Sequence, residues 1–203
     1  RNEKVAIFGD YDVDGAASSA LLARYLHFFG LHPIVRIPDR VTEGYGPNPK
    51  AMAELVAAGA TLIVTVDCGT GSFDALESVA GKSVDVLVLD HHQTGSALPP
   101  AYALVNPNRQ DDLSEQGHLC AAGVVFLTLV AVSRELRRRG RASSQLPNLL
   151  DDLDLVALAT VCDVVPLVGL NRAFVVKGLT VMRELKKPGL RALAELTRLS
   201  GPV

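Results

Sequence analysis

"KVAIFGDYDVDGAASSALLARYLHFF", residues 4–29, decides the fold. Its first five residues form a short apolar run with β-branched side chains, the pattern of a buried strand. Residues 16–29 carry apolar side chains at helical spacing. Between them "GDYDVDG" places Asp10, Asp12 and Asp14 on alternate positions and closes on Gly15. Three carboxylates at that spacing suit a cation, and the run matches the start of a D-x-[DN]-x-[DN]-G calcium loop. The match then fails twice. The twelfth loop position, which should be a bidentate Glu, is Leu21, and a strand rather than a helix precedes the loop. The unit is strand, acidic turn, helix.

The same alternation continues. Strands are expected at 4–8, 34–37, 61–66 and 84–89, with a weaker one near 103–105. Helices are expected at 16–29, 48–58 (Asn48 as N-cap, Pro49 at the first helical position) and 72–80. The strands are near-continuous apolar runs, which argues for an α/β fold with a mostly parallel sheet flanked by helices over about 4–110. A helical segment comes next, over about 118–200, with helices at 120–139, 147–161, 172–186 and 189–198. Asn171 is expected to cap the helix opening at 172. The polar stretches 106–117 and 140–148 read as loops.

Composition is that of an ordinary globular chain: 203 residues, 48% hydrophobic and 21% charged, with net charge -2. There is no global pull toward nucleic acid, so any such binding needs a local patch. Cys68, Cys120 and Cys162 form no C-x-x-C pair and read as small buried residues in a reducing, cytoplasmic setting. No run reaches the ~18 apolar residues of a membrane helix, so no membrane partner is expected. The start at Arg1 and the stop at "SGPV" suggest a piece of a longer protein. "RELRRRGR", 134–141, is most simply a solvated helix end whose arginines complement the dipole, the alternative being a phosphate contact.

The polar residues fall at the strand ends. Asp10, Asp12 and Asp14 come after the first strand, Asp67 after 61–66, and Asp90, His91 and His92 after 84–89. In a parallel α/β sheet those ends share one edge, where ligands bind. Asp163 is a fourth candidate, where a helix ends before Pro166. Singly, these residues have plain readings: an Asp after a strand as a helix N-cap, a His in the core, the triplet as an Asx-rich turn. Together on one edge they would repel one another without a cation. A carboxylate-rich set with one or two imidazoles suits Mn²⁺ or Mg²⁺. It exceeds what one ion needs, and two ions bridged by a shared carboxylate are the arrangement of phosphoester hydrolysis. Asp67 is the expected bridge. Adjacent residues His91 and His92 cannot point the same way, so one should face the ions and the other look elsewhere around the site. Cys68 and Cys162 point away from their ligand neighbours and are expected to pack.

"GDYDVDG", "VTVDCGT", "LDHHQ" and "LATVCDVVPL" resemble the four motifs of the DHH phosphoesterase superfamily. "IPDRVTEGYGPN", "LVNPNRQDD" and "LCAAGVVF" are similar to its RecJ branch of bacterial single-strand-specific exonucleases. The resemblance implies metal ligation by Asp12, Asp14, Asp67, His91 and Asp163, with Asp10 in or just behind that shell. His92 is then the catalytic residue facing the scissile phosphate, and Asp90 is an acceptor available to the second nitrogen of His91 or a turn cap. Arg40 and Tyr45, in a Gly-rich loop near the sheet edge, are candidates for substrate contact. The function implied is a metal-dependent phosphodiesterase, a 5′-to-3′ single-stranded DNA exonuclease of DNA repair and recombination, in which a metal-activated water attacks in line with the leaving oxygen. Members of that branch continue into a DHH-associated domain and an oligonucleotide-binding fold. The competing readings are another DHH hydrolase, acting on pyrophosphate, oligoribonucleotides or cyclic dinucleotides, and a non-catalytic scaffold. A scaffold should have lost ligands, and none is substituted here.

Overall fold

The computed structural model describes residues 3–197. Residue 198, the expected end of the last helix, and the terminal "SGPV" lie outside the described residues. Five strands, β1 (Val5–Gly9), β2 (Ile34–Arg36), β3 (Leu62–Val66), β4 (Asp85–Leu89) and β5 (Ala103–Val105), form one sheet in the order β2-β1-β3-β4-β5. Every pairing is parallel. Seven helices accompany it among the described residues: α1 (Val13–Phe28), α2 (Pro49–Ala57), α3 (Phe73–Glu77), α4 (Ala121–Arg138), α5 (Leu153–Cys162), α6 (Gly169–Met182) and α7 (Pro188–Leu196). None is long and apolar enough to cross a membrane.

Alternation along the central strands builds two cores. Val5 and Ile7 of β1, with Val64 and Val66 of β3, face α1, α4 and α5, where they meet Leu21, Tyr25, Val125 and Val156. Ala6 and Phe8, with Ile63 and Val88, face α2 and α3 and meet Met52, Leu55 and Leu76. Burial on both faces explains why these strands read as continuous apolar runs. The order reverses between β1 and β3, so the crevice for a ligand opens at the carboxyl ends of those two strands. The acidic run and Asp67 leave from that crevice.

Helix boundaries depart from expectation where capping outweighs periodicity. α1 starts at Val13, because the Asp12 Oδ1 accepts from Gly15 N at 2.9 Å. This draws Asp14 into the first turn. A Cβ at Gly15 would lie 2.4 Å from the Asp10 carbonyl oxygen, so only glycine lets the turn close over the strand end. α5 begins at Leu153, after a 3-10 turn over Leu149–Asp152, rather than at 147. α6 begins at Gly169, so Asn171 is not its cap. Asn171 is buried within the helix and donates from Nδ2 to the carbonyls of His118 (2.6 Å) and Pro166 (2.9 Å). Cys68 and Cys120 are buried as expected; Cys162, the last residue of α5, is exposed rather than packed. The arginine-rich stretch ends α4, whose 18 residues span ~27 Å. Glu135 holds Arg138 (2.6 Å) and Arg139 (2.7 Å) there, and Arg141 stacks on Phe29. This is a solvated helix end, far from the sheet crevice.

α5 and α6 approach closely across Gly178, where a Cβ would lie 2.2 Å from the Leu153 carbonyl oxygen and 2.4 Å from the Ala157 Cβ. Gly178→Ala is therefore expected to force the pair apart and destabilise the protein by ~1–3 kcal/mol, a loss of roughly 2–12 °C in Tm. Gly189→Ala, whose Cβ would enter open space, should leave Tm within about 2 °C. Thermal melts of the two variants check the packing.

Candidate metal centre

The site assembles from five segments. β1 delivers Asp10 directly at its end, and α1 contributes Asp12 at its N-cap and Asp14 in its first turn. Asp67 leaves β3 with φ +60, a left-handed conformation that Asp tolerates better than most residues. β4 ends into Asp90, His91 and His92. Asp163 caps the C-terminus of α5, and the chain then turns sharply through Val164 at φ +57. A β-branched residue is strained in that region by about 1–3 kcal/mol, and the strained turn directly follows Asp163.

These side chains converge. Asp10, Asp12 and Asp67 present oxygens within 4.8 Å of one another, and the ligand atoms of Asp14, His91 and Asp163 lie equally close together. His91 Nε2 lies 3.3 Å from Asp67 Oδ1, 3.6 Å from Asp163 Oδ2 and 3.8 Å from Asp14 Oδ2. Asp67 thus stands between the two triads. The seven residues Asp10, Asp12, Asp14, Asp67, His91, His92 and Asp163 are all brought together. Tyr45 reaches the same place; Arg40 stands at its margin, its guanidinium stacking at 5.3 Å on the Tyr11 ring and its charge felt at Asp10.

The donor set fits a divalent cation. Asp10 Oδ1, Asp67 Oδ1 and Asp163 Oδ2 are buried oxygens without a hydrogen-bond partner, an arrangement that is costly unless a cation meets them. Burial, reinforced by the charges of Asp14 and Asp12, pushes Asp67 far above the usual carboxylate range. Burial raises Asp14 to about 6, even though Ala122 N (2.8 Å) and Ala121 N (2.6 Å) at the start of α4 donate to its two oxygens. Asp10 and Asp163 are raised for the same first reason. Asp67, His91 and His92 form a third group with ligand atoms equally close, and an oxygen-rich set with one or two imidazoles and no thiol suits Mn²⁺ and Mg²⁺.

The two histidines lie close, with ring centroids 4.7 Å apart, but differ in their partners. His91 faces the carboxylates. His92 is half-exposed and turns to Asp90, whose Oδ1 accepts from His92 Nδ1 at 2.8 Å. The same oxygen accepts from the backbone N–H of His91 (2.8 Å) and of His92 (3.2 Å), and Oδ2 accepts from Thr70 N (3.0 Å). Asp90 is therefore the partner of the His92 ring and not of His91. Burial works to raise Asp90, but the His92 and Thr70 hydrogen bonds outweigh it and hold the carboxyl below its usual range; the Asp90 bond in turn raises His92. The Tyr45 hydroxyl donates to the Asp67 carbonyl (3.0 Å) and lies against the edge of the His92 ring, 3.1 Å from Nδ1 and 3.2 Å from Nε2. Thr70, Asn106 and Asn108 brace this corner; they lie inside the quoted stretches "VTVDCGT" and "LVNPNRQDD", but residue type and spacing gave them no role there.

Sheet order, strand-end carboxylates and an Asp–His–His turn define a class, and a family model confirms it: the "DHH family, N-terminal domain" matches residues 4–160, and the chain belongs to the DHH family. Within it the chain is similar to the single-stranded-DNA-specific exonuclease RecJ of Dickeya dadantii, 40% identical over 201 residues, which are 97% of this chain and 35% of that protein. It is 39% identical over 198 residues to RecJ of Escherichia coli, covering 95% and 34%. A crystal structure of exonuclease RecJ bound to manganese superposes with a TM-score of 0.84 at 37% identity, covering 98% of this chain and 48% of the other. The chain spans about a third of the length of these curated relatives.

A carboxyl whose pKa rises on folding stabilises the fold while protonated. The contribution of Asp14 is whole below about pH 4 and vanishes as pH rises through about 6. Asp67 and His92, also raised, act in the same direction, while Asp90, held low, matters only below that window. With chelator present, Tm is expected to fall from pH 5 to pH 8 by roughly 5–10 °C. Saturating Mn²⁺ should remove most of the fall. Asp67→Asn should raise the chelated protein's Tm at pH 8 and abolish most of the Mn²⁺ gain; scanning calorimetry across pH reads all three.

Proposed function

We propose that this chain is the DHH part of a metal-dependent 5′-to-3′ exonuclease acting on single-stranded DNA, in the cytoplasm, in repair and recombination. The observation that carries it is the pairing of two metal-ligand triads with a separately oriented histidine, in a chain similar along nearly its whole length to RecJ exonucleases. Asp10, Asp12 and Asp67 would hold one Mn²⁺ or Mg²⁺, and Asp14, His91, Asp163 and the shared Asp67 a second. When bound, the ions supply an activated water and screening of the phosphate charge.

The chain's own residues do the rest. Asp14 is held by the start of α4 and Asp163 by the strained turn after α5, so two ligands are fixed by backbone rather than by side-chain rotamer. His92 donates a proton from Nε2 to a phosphate oxygen, either stabilising developing charge or protonating the leaving group. Asp90 accepts from Nδ1 and stabilises the doubly protonated ring, the form in which Nε2 also carries a proton to donate. Tyr45 limits how far that ring can swing, and its aromatic face offers a surface for a base. Arg40, exposed beyond Tyr11, is available to a phosphate further along the strand. In the whole protein a DHH-associated domain and an oligonucleotide-binding fold would hold the rest of the strand.

The test is cleavage of end-labelled oligonucleotides with Mn²⁺. Single strands should be degraded from the 5′ end, and duplex, pyrophosphate and cyclic dinucleotides left largely intact; preference for either of the last two would overturn the substrate class. With few phosphate contacts on a near-neutral surface, residues 1–203 alone should act weakly and without processivity. His91→Ala should lose Mn²⁺ affinity and activity together. His92→Ala should bind Mn²⁺ like wild type and lose ~10²–10⁴ in rate. Calorimetry beside the cleavage assay separates them, and the reverse pattern would exchange the two roles.

A further inference from the structure

The His91–His92 dipeptide has an unusual backbone. Its two N–H groups donate to one carboxylate oxygen, that of Asp90, and its two carbonyls each accept from a different asparagine. Asn106 Nδ2 donates to His92 O at 2.9 Å and to Thr70 Oγ1 at 3.1 Å. Asn108 Nδ2 donates to His91 O at 2.5 Å and to Gly117 O at 3.1 Å. The two asparagines are tied to each other, since Asn106 Oδ1 accepts from Asn108 N at 2.8 Å. Asn106 is fully buried. A Cβ on Gly117 would lie 2.5 Å from Asn108 Oδ1, so the chain makes room for that amide.

We infer that Asn106 and Asn108, the residues flanking Pro107 at the end of β5, are positioning residues with separate clients: Asn108 sets His91 toward the carboxylates, and Asn106 sets His92 beside Asp90. Both histidines lie beyond the last ladder pair of β4 and β5, Leu89 with Val105, so rotation of either peptide would swing one imidazole with it. Each amide nitrogen blocks one such rotation. Asn106 also ties Thr70, and Thr70 N holds the second oxygen of Asp90, so one side chain fixes both the His92 backbone and the acceptor of its ring. The kinetic part of this inference rests on the proposed phosphodiesterase activity; the metal-binding part does not.

Calorimetry with Mn²⁺ alone is the first arm. Asn108→Ala is expected to weaken Mn²⁺ binding ~10–100-fold, and Asn106→Ala to leave it within about twofold. Equal effects of the two variants overturn the separation. The second arm is a double-mutant cycle on single-strand cleavage at saturating Mn²⁺. Asn106→Ala should lower kcat at least ~10-fold with KM little changed, and add nothing to the loss already made by His92→Ala. A merely structural role predicts additive losses, and additivity overturns the assignment. If wild-type protein cleaves no single strand, the proposed function fails by itself and the calorimetric split decides the inference. Should either alanine variant not fold by circular dichroism, Asn106→Asp and Asn108→Asp, which keep the volume and remove the N–H donors, carry the same expectations.

Discussion

Like charges crowded at one sheet edge, most of them out of water, are the constraint on which this structure depends. Five carboxylates, Asp10, Asp12, Asp14, Asp67 and Asp163, crowd one sheet edge in neighbouring groups, and several of their oxygens have no partner in the protein. Such a cluster pushes its own scaffold apart. The fold answers with two apolar layers around β1 and β3, with the amides of α4 turned onto Asp14, and with a left-handed residue at each of two ligand turns. Stability and function thus oppose each other at the same atoms, and a cation reconciles them.

Much of this was legible in the sequence for a definite reason. Strands covered on both faces must be apolar at every position, so β1, β3 and β4 stand out as runs, and the residues just past each run lie on one edge. Asp163 was legible because its helix has to stop before Pro166. The start of α1 was not, because Val13, Asp14 and Gly15 are poor helix formers; a capping bond from Asp12 and the close approach to Asp10 set the boundary, and neither leaves a periodic trace.

The remaining differences share one cause: tertiary contacts that no local pattern records. Asp90 was expected to serve His91 or to cap the turn; it caps the turn through the backbone N–H groups of His91 and His92, and the ring that lies on it is that of His92. Asn171 stands near the head of a helix, where a cap belongs, yet it lies inside the helix and satisfies two loop carbonyls from there. Cys162 fits the helical apolar pattern but is exposed at the end of α5. The arginines of 134–141 could be weighed only once the length of α4 placed them at the opposite end from the ligands.

The bond from Asp14 to the head of α4 gives the site a history as well as a shape. A ribosome delivers the chain from its N-terminus at ~5–20 residues per second. All five strands therefore emerge while α4 and α5 are still unmade, and one apolar face of the sheet is covered only by α1 for some seconds. In that interval Asp14 lacks its amide donors and Asp163 does not yet exist. The last ligand is translated at the end of α5, so the ion cage is completed just before α6 adds Phe174 to the core. A nascent chain has nothing to gain from capturing a cation early; a finished one quiets its charges by taking up a proton or a cation.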